Sequence, residues 1–215
     1  MTIHVLVMAK APVPGRVKTR LCPPCTPVEA AALAEASLAD SLEAVAACGA
    51  GRRVLALEGA PGPWLPPGFE VISQCEGSFD RRLTHAWAIA GGPGVQIGMD
   101  TPQIGADDLD HALGALDTTG AALGHAVDGG WWAIGLRRPH PDAFRGIPMS
   151  TARCGRDQEA RLRSLGLTVT LLPTLVDLDT VDDLAAVVAA GPATRTARLA
   201  AAMGLVPRPM HESPA

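Results

Sequence analysis

Ile3-His4-Val5-Leu6-Val7-Met8 is an apolar run, and Ala9-Lys10-Ala11-Pro12-Val13-Pro14-Gly15-Arg16-Val17-Lys18-Thr19-Arg20-Leu21 follows it directly. The run reads as a first strand, and the segment after residue 26, rich in Ala, Leu and Glu, reads as a long helix. Between them lie one glycine, two prolines and the cations Lys10, Arg16, Lys18 and Arg20. A flexible cationic connection between a strand and a helix suits the phosphates of a nucleotide. Backbone can come close at Gly15, and Arg16, Lys18 and Arg20 can neutralise a pyrophosphate. A solvated basic loop is the alternative reading of the same residues. The spacing is neither that of a Walker loop nor the GxGxxG of a dinucleotide fold.

Working outward, strand and helix patterns alternate along the whole chain. Helical segments are expected over residues 27–48, 79–90, 106–116, 157–165, 180–190 and 193–203. Strands are expected over 3–8, 53–58, 69–73, 94–99, 121–127, 131–136 and 168–172. Such alternation implies a mainly parallel sheet with helices on both faces, an α/β layer sandwich. Ligands bind such sheets beyond the carboxyl ends of the strands. Polar groups do gather there: the basic loop after the first strand, Asp100 after the fourth, Asp128 after the fifth, and Asp177 with Asp179 after the last. One domain spanning 1–206 is expected, with 207–215 as a frayed tail.

The 215 residues suffice for one large core, and 47% hydrophobic with 19% charged content is that of a soluble globular protein. A net charge of −4 gives no general attraction to nucleic acid or anionic lipid, so the early cations are a local feature. No apolar run approaches the roughly 20 residues of a membrane span, and no basic region precedes the first strand, so a cytoplasmic location is expected. Five scattered cysteines fit reduced thiols. Cys22-Pro23-Pro24-Cys25 has no partner pair for zinc, and its prolines make it a rigid turn leading to Thr26-Pro27 as helix cap and first helical residue. The Ala-rich C-terminal end leaves room for packing on a neighbour, hence for an oligomer.

Three acidic elements carry the chemistry. Asp100, in Gly98-Met99-Asp100-Thr101-Pro102, stands where a strand stops and a proline turns the chain, placed to reach a hard cation or a ribose hydroxyl. In Asp177-Leu178-Asp179-Thr180-Val181-Asp182-Asp183, helix capping by Asp179 or Thr180 accounts for most of the cluster. It does not account for Asp177. A metal held by Asp100 and Asp179 would share phosphates with the basic loop. In Asp128-Gly129-Gly130-Trp131-Trp132, the glycines allow either a hairpin turn or close passage of a ligand, and Asp128 could take a substrate proton. One tryptophan should be core while the other lines a pocket. Gln74 and Arg82 are placed to contact a base or phosphate, and Ser150 and Thr151 to donate to a substrate. His4 and His125, on strands, read as core histidines with their hydrogen bonds made.

The blocks Lys10–Leu21, Gly98–Pro102, Asp128–Leu136 and Asp177–Thr180 together resemble the DUF2064 family, related to GT-A-type nucleotide-diphospho-sugar transferases. The resemblance runs from about residue 3 to 188. It implies a single-domain, Rossmann-like three-layer sandwich with Mg²⁺ or Mn²⁺ at the acidic strand ends, and glycosyl transfer as the activity. The chain departs from the family pattern at Ser78, His125, Trp131-Trp132 and Met149, on the acceptor side more than the phosphate side. The expectation is therefore a nucleotide-sugar-dependent transferase acting on a small acceptor. In it Lys10, Gly15, Arg16, Lys18, Arg20, Gln74 and Arg82 bind the nucleotide, and Asp100 and Asp179 hold the metal. Gly129, Gly130, Trp131, Ser150 and Thr151 contact substrate, with Asp128 and Lys18 catalytic. Nucleotidyl transfer to a phosphorylated small molecule and a catalytically inactive nucleotide-binding protein are the alternatives.

Overall fold

A computed structural model describes residues 2–206, and the tail expected at 207–215 lies outside them. The first strand, β1 (His4–Lys10), buries every residue except Lys10. Such a run, apolar on both faces, is what a central parallel strand requires. Then follow α1 (Pro27–Ala47), β2 (Arg52–Glu58), β3 (Glu70–Ser73), α2 (Phe79–Ala90), β4 (Gly94–Ile97), α3 (Ala106–Thr118), β5 (Ala121–Ala126), β6 (Trp131–Leu136), α4 (Cys154–Ser164), β7 (Val169–Leu175), α5 (Val181–Ala190) and α6 (Arg195–Ala202). The strands form one seven-stranded sheet in the order β3-β2-β1-β4-β6-β5-β7. Neighbours are parallel except that β6 runs against β4 and β5, as the Asp128-Gly129-Gly130 turn between β5 and β6 demands.

Alternation along the strands divides the core in two. Val5, Val7, Ile97 and Ala133 pack with α1 and α3 on one face; Leu6, Met8, Ile134 and Leu136 pack with α2 and α4 on the other. A third cluster joins the start of α1 to α5 and α6. The start of α1 is fixed as its sequence indicates: Thr26 and Glu29 form a capping box ahead of Pro27. Asp40, on α1, is buried and accepts hydrogen bonds from the Arg195 and Thr196 backbone and from the Thr196 hydroxyl, which ties down the start of α6. No helix of the described residues is long and apolar enough to cross a membrane.

Three local differences from the sequence reading bear on the site. β1 extends two residues further than its apolar run, because Ala9 and Lys10 continue to pair with Leu57 and Glu58; Lys10 is thus a strand residue. α4 begins at Cys154 rather than near 157. Gly155 allows the close approach: its amide donates to the Gly129 carbonyl at 2.8 Å, and a Cβ there would lie 2.3 Å from the Gly130 oxygen. His4 is fully buried, but both ring nitrogens lack partners, contrary to the expected satisfied histidine. Burial, then the nearby Arg52, lowers its pKa from 6.5 to about 4, so the ring is neutral and packs edge-on against Trp87 at 5.4 Å.

Candidate active site

A cleft of about 500 Å³ opens across the carboxyl ends of β1, β4 and β7 and the β5–β6 turn. Parallel strands that end together leave their following loops on one edge, so residues far apart in sequence meet there. From the β1 loop come Arg16, Val17, Lys18, Thr19 and Arg20; from the end of β4, Asp100 and Thr101; from the turn, Asp128 and Gly130; from the chain after β7, Asp177 and Asp179.

The β1 loop turns at Gly15, whose φ of 75° favours glycine. Lys18 also takes a left-handed conformation, φ 47°, just before a single 3₁₀ turn over Thr19–Leu21. That bend directs its side chain inward. Nζ lies 2.5 Å from Asp100 Oδ1 and 3.1 Å from Asp179 Oδ1, and donates to the Leu178 carbonyl. The lysine side chain is 7% exposed, against 39% and 37% for the two carboxylates. Burial alone would lower the lysine pKa, but Asp100 and then Asp179 outweigh it, so the net shift is upward and the ammonium stays charged. Arg20 reaches the other oxygen of Asp179 at 3.5 Å, and Arg16 lines the cleft from an exposed position.

Asp177 sits deeper. Burial first, then the negative charge of Asp100 and Asp128, pushes its carboxyl up to about 7 despite Lys18. Two carboxylates, Asp100 and Asp179, contact the one buried ammonium, and Asp128 adds negative charge across the cleft, an excess that a further cation relieves. Among the described residues no three His, Cys, Asp or Glu side chains stand close enough to hold a metal by themselves. This donor set fits an ion of the Mg²⁺ kind, which takes one or two carboxylates and completes its shell with phosphate and water oxygens. The helix cap after Asp179 is made by other residues: Asp183 Oδ2 accepts from the Thr180 backbone and hydroxyl, which leaves the Asp179 carboxylate to the cleft.

The opposite wall is the β5–β6 turn with the chain before α4. Asp128 Oδ1 accepts from the Gly130 amide at 2.7 Å. Gly129 has φ 89°, and a Cβ there would lie 2.1 Å from the Ala152 oxygen, so glycine is required twice over. Trp132 is buried and donates to the Pro173 carbonyl at 2.9 Å, while Trp131 is half-buried, tilted against Phe144 and faces the cleft. Ser150, with φ 60°, and Thr151, whose hydroxyl donates to the Pro148 carbonyl, are both exposed at the rim. His125 is not in the cleft lining; its Nε2 pairs with Glu159 at 3.1 Å.

At the outer end stand Lys10, Gln74, Phe79 and Arg82. Lys10 Nζ lies 3.7 Å from Glu58. Gln74 lines the cleft, yet its amide nitrogen donates to the carbonyls of Ala9 and Ala56 and its oxygen accepts from Arg82, so it staples β1 and β2 at their ends. Arg82 is paired to Glu58 at 2.7 Å and lies over the Phe79 ring at 5.2 Å. Phe79, Gln96 and Cys154, to which the sequence assigns no role, also line the cleft, as does Met149, which it marks only as a departure from the family pattern. Of the first three, Gln96 alone carries a signal, as the lone polar residue inside the buried strand β4.

The fold has known counterparts. A crystal structure of a candidate nucleotide-diphospho-sugar transferase from Desulfovibrio desulfuricans G20 superposes with a TM-score of 0.86 at 28% identity, over 95% of this chain and 97% of that one. A cytidylyltransferase from Leptospira borgpetersenii shares the fold at 12% identity and TM-score 0.55, over 100% and 99% of the two chains. CMP:2-keto-3-deoxy-manno-octonic acid synthetase, solved with CTP, does so at 12% identity and 0.52, over 84% and 94%. No protein of curated function matches the sequence. The profile of DUF2064, described as an uncharacterized protein conserved in bacteria, matches residues 32–151, more than half of the sequence, and the chain belongs to that family.

Proposed function

We propose that this protein is a nucleotide-dependent transferase that takes a nucleotide-activated sugar and passes the sugar to a small acceptor. One observation carries the proposal: Lys18, Asp100 and Asp179 meet at a single point on the carboxyl edge of the sheet, opposite Asp128. Arg16 and Arg20 flank that point and Lys10 lies at the outer end, so a diphosphate there meets cations along one side. Gly15 keeps the β1 loop turned so that its cations face the cleft. Phe79 and Arg82 offer a flat surface for the nucleoside, with Gln74 holding the strand ends beneath it. Ser150, Thr151, Gly129, Gly130 and Trp131 line the acceptor side.

In this reading the bond between the sugar and the diphosphate breaks, the acceptor oxygen takes the sugar carbon, and the acceptor proton passes to Asp128. Lys18, held charged by its two carboxylates, stabilises the departing diphosphate. Mg²⁺ or Mn²⁺ held by Asp100 and Asp179 would supply Lewis-acid charge to the same leaving group. The likeness to a candidate nucleotide-diphospho-sugar transferase supports this reading.

Nucleotidyl transfer is the second reading. The same buried lysine and flanking arginines suit a leaving pyrophosphate equally well. Incubation with nucleoside triphosphates plus sugar phosphates, beside nucleotide-sugars plus acceptors, separates the two. Turnover of a nucleotide-sugar without pyrophosphate release is the expected result. Metal-dependent pyrophosphate release from a triphosphate instead assigns nucleotidyl transfer, and nucleotide binding with turnover of neither set overturns catalysis altogether.

A further inference from the structure

Below the strand ends the cleft continues down the sheet face that carries α2 and α4. Its floor is Met8, Gln96 and Trp131, on the adjacent strands β1, β4 and β6, and Met149 and Cys154 line one side. Gln96 is 1% exposed. Its Oε1 accepts from Trp87 Nε1 at 2.9 Å. An indole N–H only donates, so the amide orientation is fixed: oxygen toward Trp87, nitrogen the other way. Among the described residues Nε2 has no hydrogen-bond partner, and it is not one of the side-chain nitrogens sealed away unpaired. It therefore opens on the cleft. A buried amide donor with no partner costs stability unless something accepts from it.

Gly98 directly follows β4, two residues beyond Gln96 in the chain, and lines the same cleft. Its φ is not in the left-handed region, so nothing in the backbone requires glycine. A Cβ there would meet only the Asp100 amide nitrogen, at 3.9 Å. The missing side chain keeps open the passage from the carboxylates down to Gln96.

We infer that the hollow beneath Gly98 is the subsite for the group attached to the nucleotide, and that it takes a neutral hydroxylated ring, with Gln96 Nε2 donating to one ring oxygen or hydroxyl and Trp131 covering the apolar face. The lining determines the chemistry. Met8, Met149 and Trp131 carry no charge, and burial pushes the Cys154 thiol up, so it is neutral as well. Arg82, at the edge, is already paired with Glu58. A phosphate or carboxylate placed against Gln96 would be stripped of water without a counter-charge. A ring with hydroxyls on its edge and C–H groups on its faces matches one donor and one aromatic surface. Gln96 thus sets specificity rather than rate. The assignment rests on the nucleotide reading above.

Paired titrations test both and keep them apart: UDP against UDP-glucose, and GDP against GDP-mannose, on the full-length protein by calorimetry. Gly98→Val should leave the affinity for the diphosphate that binds within about twofold and weaken its sugar conjugate at least tenfold. Gln96→Leu should weaken the conjugate about tenfold with the same selectivity, a loss of the size of one hydrogen bond. Gly98→Val breaks no buried hydrogen bond, so it serves even where Gln96→Leu fails to fold. If Gly98→Val binds conjugate like wild type, or loses diphosphate and conjugate alike, the subsite is overturned and the nucleotide reading stands. If wild type binds none of the four compounds, both are overturned.

Discussion

Replacing Lys18 by methionine removes the one buried cation on which Asp100 and Asp179 converge, while keeping the length of the side chain. Breaking a buried ion pair by deleting one partner costs roughly 3–5 kcal/mol. Here the lysine is buried, but the carboxylates are 39% and 37% exposed, so water screens part of what they lose. The expected loss is accordingly about 2 kcal/mol. Urea unfolding of Lys18→Met at neutral pH with chelator present measures it directly. The double variant Lys18→Met/Asp100→Asn isolates the contact: with the lysine gone, neutralising Asp100 removes repulsion among the carboxylates and should recover part of the loss. A coupling of about 1–2 kcal/mol is predicted. Millimolar Mg²⁺ should stabilise Lys18→Met more than wild type, because the ion can take the place the ammonium vacates. Additivity within about 0.5 kcal/mol would refute the reasoning, since the short Asp100 contact would then carry no interaction energy.

His4 makes stability depend on pH. The unfolded chain takes up its proton near 6.5 and the native ring only near 4, so stability falls as pH drops through that window. By pH 4.5 the wild type should lose about 2–3 kcal/mol that His4→Phe retains, and equal pH dependence of their urea midpoints would contradict the assignment. Gly129→Ala drives a Cβ onto the Ala152 oxygen at 2.1 Å and strains a φ of 89°. It should cost roughly 2–3 kcal/mol and displace Asp128, seen as a lowered melting temperature together with reduced turnover, whereas an unchanged melting temperature would show that the turn tolerates a side chain.

Much of this protein is legible along its sequence because the decisive signals are local. Val5 to Ala9 are apolar without alternation, which only a strand covered on both faces allows, and Thr26-Pro27 with Glu29 marks the start of a helix. Asp128-Gly129-Gly130 marks a tight turn, although its glycines also answer to Ala152 and to the start of α4, contacts that no local pattern reveals. What escaped the sequence depends on contacts across the fold. That Asp100, Asp179 and the basic loop gather at the strand ends is legible from the strand order, but the direct pairing of Lys18 with both carboxylates, 161 residues apart in the case of Asp179, is not. Gln74 stands where a ligand contact was expected, but backbone carbonyls of β1 and β2 hold its amide. His4 is buried as expected; that its nitrogens have no partner follows from Trp87 and Gly94 closing round the ring, which periodicity cannot indicate.

The proposed transfer requires Asp100 and Asp179 to share one divalent ion with the diphosphate of a nucleotide, beside Lys18. Crystals grown with Mn²⁺ and a nucleoside diphosphate, examined at the manganese absorption edge, test that claim most directly. An anomalous peak bridging the two carboxylates, with phosphate oxygens completing its shell and Lys18 Nζ turned to the same phosphates, is the predicted result. A diphosphate bound in this cleft with no ion at those carboxylates, or one bound away from Lys18, would contradict it.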